Sequence, residues 1–426
     1  MSPAAVLATF FSFLGIGMPI FLVLGVLSLI LFWHEGDPLI GFSQLFIDHL
    51  NSQTLIAIPF FVMAATFMQR GGIAKALVDC AYAWVGGQRG GLALVCVLAT
   101  TIFAAISGSS VATAMAMGTL LVPAMLEKNY ERPFALGVVG ASGTLGILIP
   151  PSLAMIVYAI IAEESVPRLF LAGVIPGLLQ AGMFALWIMI YTRHKNYPSG
   201  ERLSRDEFVR VNLHAIPALL LPVIILGGIY SGIVTVSEAA GMAAFTAIII
   251  SVTVYKGCKI TEVLGIMAES IKLTAAIIFI ILGALAFGHW ITDAGLADQL
   301  VQYVVENELP AWQFLLFINI LLLLLGMFLE VISVILITVP LVLPLLEPLG
   351  ISPIHFAVVI TINMELALLT PPIGLNLYVL SSIAKVPIDE VVKGVWPFIL
   401  IMLCLLILVT YVPAISLFLP ELAYGK

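Results

Sequence analysis

Apolar runs long enough to cross a hydrocarbon core of about 30 Å recur along the whole of this 426-residue chain. Nothing else in the sequence restricts the fold as strongly. Hydrocarbon offers no water to a free N–H or C=O, so runs of this length fold as helices that satisfy their own backbone. The chain is 62% hydrophobic and 10% charged, with a mean hydropathy of +1.18, against roughly 25% charged residues in a soluble domain. The first apolar stretch is too long for a cleavable signal peptide and lacks a basic start. No soluble domain or low-complexity tail is apparent. A net charge of -7 gives no reason to expect a nucleic-acid partner. Cys80, Cys96, Cys258 and Cys404 have no metal-ligand spacing and read as apolar packing residues.

Nine spanning segments are expected, near 5–32, 53–68, 134–162, 168–192, 214–231, 238–255, 273–291, 354–384 and 395–419. Two further apolar stretches, 91–125 and 312–347, do not fit as spans. At about 35 residues each would be about 52 Å long as one helix, and two full crossings need more residues. Each breaks near its middle, at "SGSS" (107–110) and "GMFLEVIS" (326–333). A re-entrant hairpin that turns inside the membrane fits both. Two amphipathic segments, 72–86 and 293–307, precede the hairpins and read as helices along the membrane surface, or else as solvated connectors.

Charge supports this topology. With the basic loop 193–213 in the cytoplasm, 15 of 17 Lys and Arg fall on the cytoplasmic side, leaving Arg168 and Lys426 outside. The N-terminus is then cytoplasmic and the C-terminus periplasmic.

The stretch "GASGTLGILIPPS" (140–152) carries three glycines and two prolines inside an apolar run. Each Gly costs a helix interior about 1 kcal/mol and each Pro about 3 kcal/mol relative to Ala. A shift of 221 residues lays it on "TINMELALLTPPI" (361–373), and Pro123, Pro150, Pro151 and Pro176 meet Pro344, Pro371, Pro372 and Pro397. Chance would give fewer than one such coincidence over these 57 positions. Four spans separate the two copies, so they face opposite ways. The expected fold is therefore an all-α polytopic membrane protein, an inverted repeat with two re-entrant hairpins and two broken helices. This is how secondary transporters are built: half-helix N-termini favour anions and freed carbonyls coordinate cations.

Hydroxyl and amide side chains gather at the four breaks. They are Ser107, Ser109, Ser110 and Thr113; Ser142 and Thr144; Ser333 and Thr338; and Asn363, Thr370 and Asn376. Hard oxygen ligands suit an alkali cation such as Na+ better than a transition metal, although small residues and hydroxyls also serve helix packing. Glu330 and Glu365 lie deep in apolar surroundings with no Lys or Arg within 15 residues. Intramembrane carboxylates are usually functional, and a protonated structural role is the alternative. Glu330, at the second tip, reads as a cation-site or tip-anchoring residue. "GASG" also matches the GxSG of intramembrane serine proteases, but no His is placed to activate Ser142 and the repeat partner is Asn363. A channel and a stand-alone ion-coupled anion transporter are further alternatives.

The long stretch 107–179, with "GIVTVSEAAG" (232–241) and "LLTPPIGLNLYVL" (368–380), resembles the large membrane subunit of tripartite ATP-independent periplasmic (TRAP) transporters over essentially the whole chain. The resemblance implies a bacterial inner-membrane, sodium-driven importer of organic acids rather than an enzyme, with Na+ as coupling ion. Its implied partners are a small four-helix membrane subunit and a soluble periplasmic substrate-binding protein. With nothing ahead of the first span, the small subunit is expected as a separate chain. It also implies an elevator mechanism of the ion-transporter-superfamily kind. Residues 1–68 and 193–291 would be scaffold, 69–90 and 292–311 arm helices, and 91–192 and 312–419 the two halves of a transport domain. By resemblance, one sodium site takes Ser107, Ser109, Ser110, Gly143 and Thr144. A second takes Glu330, Ser333, Asn363, Thr370 and Gly374. Gly140, Ser142, Pro150, Pro371 and Asn376 would face substrate. Sialic acid is the leading expectation for that substrate, ahead of four-carbon dicarboxylates and other sugar acids. One charge crossing 100 mV is worth about 2.3 kcal/mol, so a monoanion needs two sodium ions before entry is electrically favourable.

Overall fold

A computed structural model describes residues 3–36, 39–50, 52–197 and 199–425. Among them the fold is all-helical, with no strand beyond an isolated bridge between Arg89 and Ser199. The helices in chain order are α1 (Pro3–Gly15), α2 (Ile20–Glu35), α3 (Leu39–Leu50), α4 (Gln53–Arg70), α5 (Ile73–Val85), α6 (Gly91–Ser107), α7 (Ser110–Glu127), α8 (Arg132–Leu148), α9 (Leu153–Ala162) and α10 (Val166–His194). Then follow α11 (Arg205–Tyr230), α12 (Val236–Ile249), α13 (Val263–Asp293), α14 (Leu296–Glu306), α15 (Ala311–Gly326), α16 (Val331–Leu346), α17 (Pro353–Leu368), α18 (Leu375–Ala384), α19 (Ile388–Tyr411) and α20 (Ala414–Tyr424).

The repeat is visible in the helix boundaries. Shifted by 221 residues, the starts of α7 and α8 fall on the starts of α16 and α17. The two hairpins, α6–α7 and α15–α16, turn within residues 108–109 and 327–330. The broken helices part at 149–152 and 369–374. α5 and α14 stand ahead of the hairpins as the two short amphipathic helices expected there.

α8 and α17 form the centre. Every residue from Phe134 to Leu148 and from Ile354 to Leu368 is buried, and the two helices pack on each other. Small residues permit the crossings around them. Gly137 of α8 meets Gly394 of α19 backbone to backbone, and Gly143 faces Ala114 of α7 closely enough that a Cβ would come within 2.8 Å of the alanine methyl. The repeats exchange partners: α7 packs on α18, and α16 packs on α9. Each hairpin thus holds the second half of the other repeat's broken helix. On one side α2, α4, α11, α12 and α13 pack on one another; α13 also lies against α16 and α4 against α6 and α9, and α5 and α14 touch both this group and α6 and α16.

Several expected boundaries shift. The span drawn at 5–32 is two helices, because Gly17 takes a left-handed backbone (φ 81°) and Pro19 precedes α2. The span drawn at 395–419 stops at Tyr411; Val412 leaves the helical region and Pro413 opens α20. α3 was not anticipated. α12 continues into a wider turn over Ile250–Val254, while α11 and α13 begin about ten residues earlier than their apolar cores. Seven described helical segments are long and apolar enough to span a membrane, among them α7 of the first hairpin and Arg132–Ala162, which runs through the break between α8 and α9. Others of the nine expected spans are split into shorter pieces. Lys426, assigned to the outer face, lies outside the described residues.

Candidate functional site

The hairpin tips and helix breaks, separated by more than 200 residues in sequence, converge on one cavity of about 110 Å3. Gly108, Ser109 and Ser110 line it from the first tip, and Glu330, Val331 and Ile332 from the second. Ile147 and Leu153 flank the first break, Leu368 and Leu375 the second, and Ile277 of α13 closes one wall. Four helices, α7, α9, α16 and α18, begin at this cavity. Unpaired N–H groups and the helix dipole make a helix start favourable to anions. The C-terminal ends of α6, α8 and α17 reach the same place through Gly108, Ile147 and Leu368.

Backbone bonds hold each break to its own hairpin. In the first repeat Leu153 N–H donates to Gly108 C=O (3.2 Å); in the second Ile373 N–H donates to Met327 C=O (3.3 Å). Gly108 is left-handed (φ 64°), and a Cβ there would sit 2.9 Å from Pro151 O. Gly374, the residue before α18, is also left-handed (φ 43°). The tertiary positions therefore differ from ordinary loops: close approach, not flexibility, requires these glycines. Both Pro–Pro bonds, 150–151 and 371–372, are cis.

At the first tip, Ser109 caps α7 by accepting from Ala112 N–H (3.4 Å). Thr113 donates to Ser109 O (2.7 Å) and approaches Ser107 Oγ (3.2 Å). Ser110 accepts from Asn376 Nδ2 (2.8 Å), the direct side-chain link between the first tip and the second break. Thr144 donates to Ala141 O (2.8 Å) and accepts from Gln180 Nε2 (3.1 Å), so it faces α10 rather than the tip. Gly140 lies against Leu380 of α18. Ser142 is buried with no hydrogen-bond partner for its Oγ and lies beside Cys96.

On the second side Glu330 precedes α16 and lines the cavity without capping that helix. Ser333 is buried and its Oγ has no partner. Thr370, just past the end of α17, donates to Leu366 O (2.7 Å). Asn363 turns away from the cavity: its Nδ2 donates to Asn319 Oδ1 (2.7 Å), and Asn319 in turn donates to Thr410 Oγ1 (3.1 Å). Asn376 keeps an unpartnered buried Oδ1. Pro150 is buried while Pro371 is exposed, and neither lines the cavity. Thr338 donates to Val334 O (2.6 Å). Glu365 is fully buried beside Gln180, and neither carboxylate oxygen has a hydrogen bond.

Of the expected residues, the structure thus brings Ser109, Ser110 and Glu330 to one cavity, with Asn376 bonded to its wall. Asn363 and Thr144 join separate buried networks. Sequence reasoning passed over Gln180, Asn319 and Ile277. The first two had a signal, a lone amide inside an apolar helix, which needs a partner once buried. Ile277 had none.

Residues 7–415 match the family described as "Tripartite ATP-independent periplasmic transporter, DctM component". The chain belongs to this family. It is therefore the multi-pass membrane component of a tripartite secondary transporter for organic acids, not an enzyme. Among curated relatives, the C4-dicarboxylate TRAP transporter large permease protein DctM of Pseudomonas aeruginosa is 43% identical over 93% of this chain and 92% of its own length. The protein of the same name from Rhodobacter capsulatus is 41% identical over 95% and 96%. The sialic acid TRAP transporter large permease protein SiaM of Vibrio cholerae is 34% identical over 97% and 98%. Among solved structures, the YdaH transporter of Alcanivorax borkumensis superposes with a TM-score of 0.64 at 14% identity, covering 88% of this chain and 87% of that one. That likeness concerns the fold alone.

Proposed function

We propose that this permease imports a small dicarboxylate in symport with sodium, receiving it from a soluble periplasmic binding protein and working beside a small membrane subunit. The observation that carries the reading is the convergence of four helix starts and three helix C-terminal ends on one cavity. Such a site offers N–H groups to carboxylates and oxygens to an alkali cation within a few ångströms. Ser109 and Ser110 supply hydroxyl oxygen at one tip, and Glu330 supplies the carboxylate at the other. A cation beside Glu330 would offset the cost of a charge at this depth.

Two features favour a four-carbon dicarboxylate over sialic acid. Relatives named for C4-dicarboxylates are more similar than the sialic-acid one. The cavity, about 110 Å3, is small beside pockets of roughly 300–1,000 Å3 that take larger ligands.

The mechanism we infer is an elevator. Residues 1–68 and 193–291 form the scaffold, 69–90 and 292–311 the arms, and 91–192 and 312–419 the moving body. The packing of α5 and α14 against helices of both groups supports this division. The repeats are also unequally covered: Pro150 and Pro151 are buried, whereas Pro371, Pro372 and Ile373 are exposed. Alternating access by inverted repeats predicts such inequality in either end state. In this reading the basic loop 193–213 and the N-terminus are cytoplasmic and the C-terminus is periplasmic.

The test is uptake into proteoliposomes carrying the complete membrane complex and its binding protein, with external sodium varied. A labelled four-carbon dicarboxylate should enter in a sodium-dependent manner and sialic acid should not. Sodium-independent uptake would remove the coupling ion. Strong uptake by this chain alone, without its partners, would favour an ordinary secondary transporter.

A further inference from the structure

A separate feature lies at the far end of α10. Gln88, Arg89, Met189 and Arg193 line an open cavity of about 450 Å3 between the α5–α6 turn and the last turns of α10. The turn is fixed in place. Gly90 adopts φ 69° against the Thr192 side chain, and Thr192 Oγ1 approaches Arg89 O at 3.4 Å.

Its charges are uncompensated. Among the described residues, Arg70, Arg132 and Lys195 have carboxylates within reach, at Glu269, Glu390 and Glu131. Neither Arg89 nor Arg193 has such a partner, and both are exposed. Two guanidinium groups therefore border one cavity without an anion.

An apolar track leads away from it. Leu178, Leu186 and Ile190 are each more than half exposed, and Gly182 has open space where a side chain would project. These four recur every four residues and so share a helix face, and Met189 and Arg193 fall on that same face. The track spans 12 residues, about 18 Å at the helical rise.

We propose that this cavity binds an anionic phospholipid, its phosphate between Arg89 and Arg193 and an acyl chain along Leu178, Gly182, Leu186 and Ile190. Planar guanidinium groups match phosphate oxygens in pairs, and basic pockets beside membrane helices recognise anionic headgroups. A free phosphate would satisfy the arginines but leave the track unused; a lipid occupies both. The site is distinct from the cavity at the helix breaks and independent of the sodium reading.

The experiment titrates the delipidated membrane complex with phosphatidylglycerol, phosphatidylcholine and inorganic phosphate, reading bound lipid by native mass spectrometry. Phosphatidylglycerol should bind in preference to phosphatidylcholine. Arg89→Ala and Arg193→Ala should each weaken it about 5-fold, and the double variant about 30-fold. Gly182→Leu should weaken phosphatidylglycerol without changing phosphate binding, because it fills the track and leaves the arginines. Lys256→Ala, outside the residues that line the cavity, should change nothing. Equal binding of the two lipids, full retention by the double variant, or displacement of phosphatidylglycerol by millimolar phosphate would each overturn the proposal. The last result would identify a small-anion pocket instead.

Discussion

Gly146→Ala tests how the first hairpin reaches the broken helix. Gly146 sits on α8 where the tip of the α6–α7 hairpin crosses it. An added Cβ would lie 2.6 Å from Ser109 O and from Thr113 Oγ1, and 2.9 Å from Ser109 C. Ordinary contact begins near 3.4 Å, so the tip must retreat by about 0.8 Å. Ser109 O is backbone at the start of α7, and no side-chain rotation relieves the overlap. Overpacking of this kind costs about 1–3 kcal/mol. Replacing a helical Gly by Ala otherwise gains about 1 kcal/mol. Gly241→Ala on α12, where nothing lies within 4 Å, isolates that gain. The measurable quantity is the difference between the two variants in thermal unfolding of the purified complex. Gly146→Ala should be the less stable by about 1–3 kcal/mol. Displacing Ser109 should also raise the sodium needed for half-maximal uptake. Equal stability and equal uptake in the two variants would refute the close approach and the functional weight placed on this tip.

Asn376→Ala removes the 2.8 Å bond to Ser110; with both groups buried it should cost about 1–3 kcal/mol and reduce uptake, checked by unfolding and transport on the same preparation. Glu330→Gln should keep the fold, since size and most hydrogen-bonding capacity survive, while sodium dependence and transport fall sharply; near wild-type sodium dependence would assign Glu330 a neutral structural role. Ser204→Ala breaks the capping box in which Ser204 and Glu207 exchange hydrogen bonds at the start of α11. It should cost about 1 kcal/mol and leave uptake unchanged, as this helix lies away from the cavity.

Much of the fold was legible because membranes punish exceptions. Pro150, Pro151, Pro371 and Pro372 are costly inside helices, so their recurrence at one spacing marked both breaks and the repeat. The turns at "SGSS" and "GMFLEVIS" appeared because each apolar stretch has the wrong length for one helix or two crossings. Helix ends were harder. The division at Gly17–Pro19 and the stop at Tyr411 lie within continuous apolar runs, where hydropathy does not change as the backbone turns.

Sequence by itself determined the solvent, the helical class, the inverted repeat and the set of polar residues at the breaks. These follow from local composition and from the penalty on unsatisfied backbone in hydrocarbon. Tertiary structure alone decided which of those polar residues meet. Thr144 and Asn363 share segments with cavity residues, yet Thr144 turns to Gln180 on α10 and Asn363 to Asn319 on α15. Asn376, by contrast, reaches 266 positions back along the chain to Ser110. A helical residue's direction depends on rotation about the helix axis. In segments buried on every side, such as α8 and α17, no amphipathic pattern records that rotation, and only the packed neighbours fix it.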